Sequence, residues 1–279
     1  MKRILPVVLL LTACGAEGPQ QGTSPLPSSC ESSGVAAPAG PTVEGVKKRG
    51  ALVVALEAEF KPFEYLNEKG EIAGFDVDLA RILARELGVK LEIRNVAWES
   101  IIPELSTKKA DLIASGMTVT EERAKTVAFS EPYFYTVTAL LVSRERASNV
   151  HGVADLDRAG RVVVVKQGTT GETAANAKVP RATIRSYPTE NAAALEVAQG
   201  RADAFLYDLA SVRAHHEQHP KTTFLITEPV TFEPYAVATR PGDPAFVAWV
   251  NQVLAAMRAK GCMKELYARH GLEDHSPPR

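Results

Sequence analysis

Apolar positions along this chain follow a rhythm that plays once and then restarts. Residues 52–56, 89–93 and 111–114 read as short strands, and residues 76–87 and 99–108 between them carry helical spacing. Leu79, Ile82, Leu83 and Leu87 share one helical face, and Gly88 stands where that helix ends. Strand–helix–strand–helix–strand predicts a mostly parallel sheet covered by helices. The rhythm resumes with a run of four valines at 162–165, a helix over 171–177, a strand at 183–187, a helix over 190–199 and a strand at 204–206. Lys109-Ala110-Asp111 and Arg201-Ala202-Asp203 each follow a helix and enter a strand, so the two halves share a detail as well as an order. Two such sheets, with their strand ends facing, make a cleft between lobes.

The end of the chain completes this plan. Asp243-Pro244 reads as an N-cap with proline in the first helical position. Phe246, Val247, Val250, Val253, Leu254 and Met257 form the apolar stripe that follows. With residues 235–239, this helix is expected to return to the first lobe. Crossings near 133–138 and 231–235 then form a two-stranded hinge. The expected division is a first lobe over 46–135, a second over 136–232, a return segment over 233–275 and a disordered tail over 276–279.

The segment Ser115-Gly116-Met117-Thr118-Val119-Thr120-Glu121-Glu122-Arg123 follows the strand at 111–114. It therefore occupies a strand's carboxyl end, where open α/β sheets bind small ligands. Gly116 lets backbone come close to a ligand, and Thr120 can cap the short helix that carries Arg123. Carbonyls, N–H groups, a hydroxyl and a guanidinium fork in one loop suit a small carboxylate. The plainer reading is a surface arginine on a capped helix.

Lys2 and Arg3 precede a short apolar run over 4–11, followed by Thr12, Ala13 and Cys14. That is an export signal, since a bilayer span needs about 20 apolar residues. Leu11-Thr12-Ala13-Cys14 resembles a bacterial lipobox, which implies removal of residues 1–13 and lipidation of Cys14. Residues 14–45, rich in Pro, Ser, Gly and Ala, are expected to be a disordered tether.

Lys+Arg number 32 and Asp+Glu 33, for a net charge of −1, with no basic block, so nucleic acid is not an expected partner. Of three cysteines, Cys30 falls in the tether, so no structural disulfide between Cys30 and Cys262 is expected. Without a Cys-x-x-Cys pair, a zinc ribbon is excluded. His215, His216 and His219 read as a solvated helix end rather than a metal site. Gly168-Thr169-Thr170-Gly171 lacks the spacing and Lys-Ser/Thr pair of a phosphate loop.

A series of motifs in fixed order resembles the bacterial extracellular solute-binding proteins of the polar amino-acid type, which feed ABC importers. They are Phe60-Lys61-Pro62-Phe63-Glu64-Tyr65, Gly74-Phe75-Asp76-Val77-Asp78-Leu79, Trp98 with Ile101-Ile102-Pro103, the Gly116–Arg123 segment, Phe129-Ser130-Glu131-Pro132-Tyr133, Gln167-Gly168-Thr169-Thr170 and Tyr207-Asp208. Ala236 and Cys262 depart from the family's pattern. The resemblance implies a two-lobed periplasmic-binding-protein-like α/β fold without catalytic residues or cofactor, monomeric, lipid-anchored outside the cytoplasm and partnered by a permease. Carried over by position, Arg123 grips the ligand's α-carboxylate, assisted by Thr118 and the Thr170 N–H beside Thr169. Asp208, next to Tyr207, meets the α-ammonium with acceptors near Ser115 and Gly116. Phe60 and Trp98 form an aromatic slot; Phe60, in a turn beside Pro62, is expected to be exposed. Glu57 and Lys166 fall near the far end of the ligand, where a carboxamide can satisfy both. This ranks glutamine first, then arginine, lysine and histidine, then glutamate.

Plainer readings stand beside these. Trp98 fits a helix-start core residue, Asp208 a cap for the helix after it, and Glu57 and Lys166 solvated charges. Other functional classes are a dehydratase on the same scaffold, with Glu57 as its acid or base, and an amino-acid-sensing receptor domain.

Overall fold

The computed structural model describes residues 24–273. The export signal, Cys14 and the tail over 276–279 lie outside the described residues.

Two sheets carry the fold. In the first the strand order is Lys90–Asn95, Ala51–Leu56, Leu112–Ile113, Ala238–Thr239, Ala128–Phe129, with the first three parallel. The last two are antiparallel additions. In the second the order is Thr183–Tyr187, Val162–Lys166, Ala204–Asp208, Phe134–Ser143, Thr223–Ile226, again with the first three parallel. Each lobe thus places its second strand, then its first, then its third. Helices Phe75–Glu86 and Trp98–Ser106 make the crossovers in the first lobe, and Thr170–Lys178 and Glu190–Ala198 in the second. The shared Asp has one task in both: Asp111 accepts the Val53 N–H at 2.9 Å and Asp203 the Val162 N–H at 2.8 Å. Each pins the entry of its lobe's first strand and balances a nearby arginine, Arg49 in one case and Arg161 in the other.

The hinge is a strand pair. Phe134–Ser143 runs into the second lobe, and Phe232–Tyr235 returns antiparallel to it, with Glu233 opposite Thr136 and Tyr235 opposite Phe134. Helix Pro244–Ala259 is capped by the Asp243 carboxylate on the Phe246 N–H at 3.2 Å. It buries Phe246, Trp249, Val250, Val253, Leu254 and Met257. Trp249, stacked on Phe246 at 5.6 Å, takes the place in the stripe that the spacing gave to Val247. Each such side chain contributes roughly 1.5–3 kcal/mol on burial.

The sequence reading needs correction at the N-terminal side. Residues 24–45 are not all tether: helix Pro41–Arg49 starts inside that range, and Cys30 is buried and disulfide-bonded to Cys262 across a sequence separation of 232. Composition argued against order because this segment has few apolar residues. It is held by Leu26, Val35 and Ala37 packed against the core and by charged side chains of the lobe meeting its backbone. Arg269 donates to the Pro25 carbonyl and Lys260 to that of Ser32, each at 2.7 Å, and the Ser33 N–H reaches Glu86 at 2.8 Å. The histidines also differ from expectation: His215 is buried, 3.6 Å from Glu190 and edge-on to Phe205. Among the described residues no group of three or more His, Cys, Asp or Glu is placed to hold a metal, and no helix is long and apolar enough to cross a membrane.

Candidate functional site

The carboxyl ends of both sheets' central strands face one small space between the lobes. Glu57 follows strand Ala51–Leu56, and Ser115, Gly116 and Thr118 follow Leu112–Ile113. From the second lobe, Lys166 ends Val162–Lys166 with Thr169 and Thr170 after it, and Tyr207 and Asp208 end Ala204–Asp208. Phe60, Trp98 and Arg123 complete the lining, with Glu64, which sequence reasoning had not singled out as a site residue.

The loop after Leu112–Ile113 is shaped by Gly116, whose φ of +49° suits glycine and where a Cβ would lie 2.6 Å from the Phe60 ring. Thr120 caps the helix Glu121–Ala124 by accepting the Arg123 N–H at 3.1 Å. Arg123 then turns back, and its Nη1 donates to the Thr118 carbonyl at 2.9 Å. Its Nη2 lies 3.4 Å from the Gly168 carbonyl of the other lobe. Among the described residues it makes no ion pair, although Coulombic attraction from Glu233 and Asp208 partly offsets the burial that lowers its pKa. A guanidinium held by carbonyls keeps its full charge for an arriving anion.

Asp208 occupies the N-cap position of helix Leu209–Gln218, yet its side chain makes no cap bond. The plain capping role is therefore set aside. Its carboxyl instead accepts the Tyr235 hydroxyl from the hinge. Burial first, and then Glu233, push its pKa up to about 8, with the Tyr235 bond opposing. Such a group is poised to ionise when a cation arrives.

The other two charges treat each other differently. Lys166 is 1% exposed and pairs with Glu57 across the cleft. The second Glu57 oxygen accepts the Trp98 N–H at 3.1 Å. Neither is a solvated charge. Trp98 donates from its ring to the Gly168 carbonyl at 2.9 Å, with the Arg123 guanidinium 5.1 Å and the Lys166 ammonium 5.9 Å from its ring. Phe60 is buried rather than exposed, stacked on Phe63 at 5.0 Å and edge-on to Tyr207 at 5.9 Å. Thr169 turns its hydroxyl onto the Lys166 carbonyl at 2.7 Å and shapes its own loop. Thr170 opens its helix, so its N–H is among the first-turn donors without an intrahelical partner. The Ser115 hydroxyl is similarly engaged, accepting the Glu57 N–H at 3.1 Å and donating to Glu64 at 2.7 Å.

Sequence reasoning missed two more contributors. Tyr235 read only as hinge, and Asp76 only as part of a motif. Asp76 accepts the Gly116 N–H at 2.6 Å and the Tyr133 hydroxyl at 2.8 Å, so it supports the loop from beneath. A helix-start Asp and a short-strand Glu look like surface polar residues in one dimension.

This chain is similar to several known proteins along most of its length. A probable histidine-binding protein of Neisseria gonorrhoeae is 33% identical over 221 residues, 78% of this chain and 81% of that protein. The glutamine-binding protein GlnH of a Bacillus subtilis ABC transporter is 30% identical over 96% of this chain and 94% of its own length. A cyclohexadienyl dehydratase of Pseudomonas aeruginosa is 28% identical over 84% of this chain and 87% of its own, so both binding proteins and an enzyme share the scaffold. The crystal structure of an ABC-transporter binding component from Wolinella succinogenes, complexed with lysine, superposes with a TM-score of 0.76 at 39% identity, covering 81% of this chain and 97% of that one. Residues 52–273 match the model of the bacterial extracellular solute-binding proteins, family 3, and the chain belongs to that family.

Proposed function

We propose that this protein binds one free polar amino acid between its lobes and delivers it to an ABC-transporter permease, with glutamine favoured over arginine, lysine and histidine. The observation that carries the reading is a guanidinium and an ionisable carboxyl lining one small space: Arg123, held by carbonyls and the Trp98 ring, and Asp208, at a helix N-cap it does not cap. A zwitterion leaving water needs both charges met. The similar proteins named for histidine, glutamine and lysine support the class. The preference for glutamine rests on Glu57 and Lys166. As a mutually neutralised pair they match a carboxamide, which offers one acceptor and two donors, whereas a cationic side chain must contend with Lys166.

The dehydratase alternative is less well supported. Glu57, the candidate acid or base, has one oxygen on Lys166 and the other on the Trp98 N–H, so it meets a ligand as a fixed acceptor through its remaining lone pairs. Leu11-Thr12-Ala13-Cys14 supports an extracytoplasmic lipid anchor, in the periplasm or on the outer cell surface. Metabolic labelling with a fatty acid, lost in Cys14→Ser, tests it. Calorimetry of the purified protein against glutamine, arginine, lysine, histidine, glutamate and leucine tests the main reading. Micromolar glutamine binding supports it; binding of leucine alone overturns it.

A further inference from the structure

Beneath the loop that carries Ser115 and Gly116 lies a pair of carboxyl groups that recognition of a zwitterion does not use. Glu64, on strand Glu64–Leu66, and Asp76, in the first turn of helix Phe75–Glu86, are both buried. Their outward oxygens are well supplied. Glu64 Oε1 accepts the Ser115 hydroxyl at 2.7 Å, and Asp76 Oδ2 accepts both the Gly116 N–H and the Tyr133 hydroxyl. The other two, Glu64 Oε2 and Asp76 Oδ1, meet no protein N–H or hydroxyl. Yet the two carboxyl groups sit beneath adjacent residues of one loop, Glu64 on the Ser115 hydroxyl and Asp76 on the Gly116 N–H, each with one oxygen left over. Two acceptor-only carboxylates cannot bond; a carboxylic acid and a carboxylate can.

We propose that Glu64 and Asp76 share one proton, carried by Glu64, and that this acid–carboxylate bond is the positioning device that holds Ser115 and Gly116 in their ligand-receiving geometry. The hydrogen-bond chain is then complete. The Glu57 N–H donates to Ser115, Ser115 donates to Glu64, Glu64 donates to Asp76, and Asp76 accepts from Gly116 and Tyr133 as well. Asp76, with three donors, is the better carboxylate. Glu64, with one donor, is the better acid. The electrostatics run the same way: burial, then the Asp76 charge, hold Glu64 well above the usual carboxylate range. Asp76 is raised less, to about 6, because the bonds from Gly116, Tyr133 and Glu64 offset its burial. The charges that face the pair are His270, which lowers Asp76, and Lys166, which lowers Glu64; Tyr133 is itself raised and stays a phenol.

The proposal rests on amino-acid binding at this cleft, and its test separates the two. Gln reproduces protonated Glu64, since its carbonyl accepts from Ser115 while its amide donates to Asp76. The expected result is that Glu64→Gln, relative to its own affinity for glutamine at pH 7, keeps more of that affinity at alkaline pH than wild type does. Wild type should lose up to about tenfold per pH unit once Glu64 ionises. The ligand amine titrates equally in both proteins, so the difference belongs to Glu64. Identical pH profiles overturn the proposal. A ligand-independent readout covers the cases where Glu64→Gln folds poorly or no amino acid binds. In Asp208→Asn protein, which lacks the other strongly raised cleft acid, infrared spectra at pH 7 should still show a carboxylic-acid C=O stretch. Its absence overturns the shared proton even if amino acids bind; its presence upholds the shared proton even if none does.

Discussion

Arg123 and Lys166 are the two cations of the cleft, and both lie beside the ring of Trp98. The protein treats them in opposite ways. Lys166 is sealed and neutralised by Glu57. Arg123 makes no ion pair among the described residues and donates to the Thr118 and Gly168 carbonyls. The acids repeat the division: Glu57 is paired, while Asp208 receives a phenol and, among the described residues, no cation. One end of the cleft is therefore satisfied without a ligand, and the other is satisfied only with one. Affinity should reside at the Arg123–Asp208 end, and side-chain selectivity at the Glu57–Lys166 end.

The largest expected effect breaks the first half of that division. Arg123→Ala leaves the ligand carboxylate without a partner in a closed site, a loss of about 3–5 kcal/mol. Affinity should fall from a hundredfold to a few thousandfold by calorimetry. The melting point of the ligand-free protein should move little, because Arg123 gives up carbonyl contacts and its place beside the Trp98 ring but no ion pair among the described residues. Wild-type affinity in Arg123→Ala would place the carboxylate elsewhere.

Asp208 supplies the next largest effect, and its sign follows from a pKa of about 8. In the folded, ligand-free protein it keeps a proton that the unfolded chain releases near pH 4. The stability it contributes is thus fully present below that pH and is lost as pH rises through 8. An ammonium ligand needs the carboxylate. Binding at pH 7 should release a proton, and affinity should climb toward pH 8 by up to about tenfold per unit. Calorimetry in two buffers of different ionisation enthalpy counts that proton. Asp208→Asn should bind more weakly and release none from this position.

How much of this was legible in one dimension depends on where the information lay. Strand ends were legible, because short apolar runs locate them and polar residues immediately after them fall at the cleft. The Ser115–Arg123 segment was read that way, whereas Glu57, Lys166 and Asp208 came with the family resemblance, since strand ends alone left them as solvated charges or a helix cap. That Glu57 and Lys166 bond each other was not, since they come from different lobes, 109 residues apart. Phe60 looked exposed beside Pro62, but the aromatic cluster of Phe63, Tyr207 and Tyr235 closes over it from distant parts of the chain. Glu64 and Asp76 carried no sign of burial, and Cys30 sat in a composition that argued against any fold. These are all properties of partners, and partners are what a linear pattern does not display.

The selectivity end is tested by Lys166→Met. Removing one member of a buried pair leaves Glu57 unpaired, which costs roughly 3–5 kcal/mol of stability before any relaxation. Glu57→Gln with Lys166→Met should regain most of the lost melting temperature. In the single variant the lone carboxylate should turn preference from glutamine toward arginine and lysine by about tenfold, the scale of one charge-assisted bond. An unchanged ranking across the panel would show that side-chain selection occurs away from this pair.

The smallest expected effect on binding lies at the Cys30–Cys262 bond, far from either end of the cleft. It ties the segment before helix Pro41–Arg49 to the start of helix Cys262–Arg269. Neither cysteine lines the cleft, and the contacts that accompany the bond, from Arg269, Lys260 and Glu86, all stay within the first lobe. Removing such a bond costs about 2–5 kcal/mol when the rest of the fold depends on it. Here the segment can detach while both sheets persist, so the lower end is expected. At about 2 kcal/mol, Cys30→Ser should melt roughly 4–8 °C below wild type. Its affinity for the amino acid should be unchanged, and so should its pH profile. A shift in affinity on reduction would mean that the N-terminal segment bears on lobe closure. The two ends of the cleft would then not be the whole of recognition.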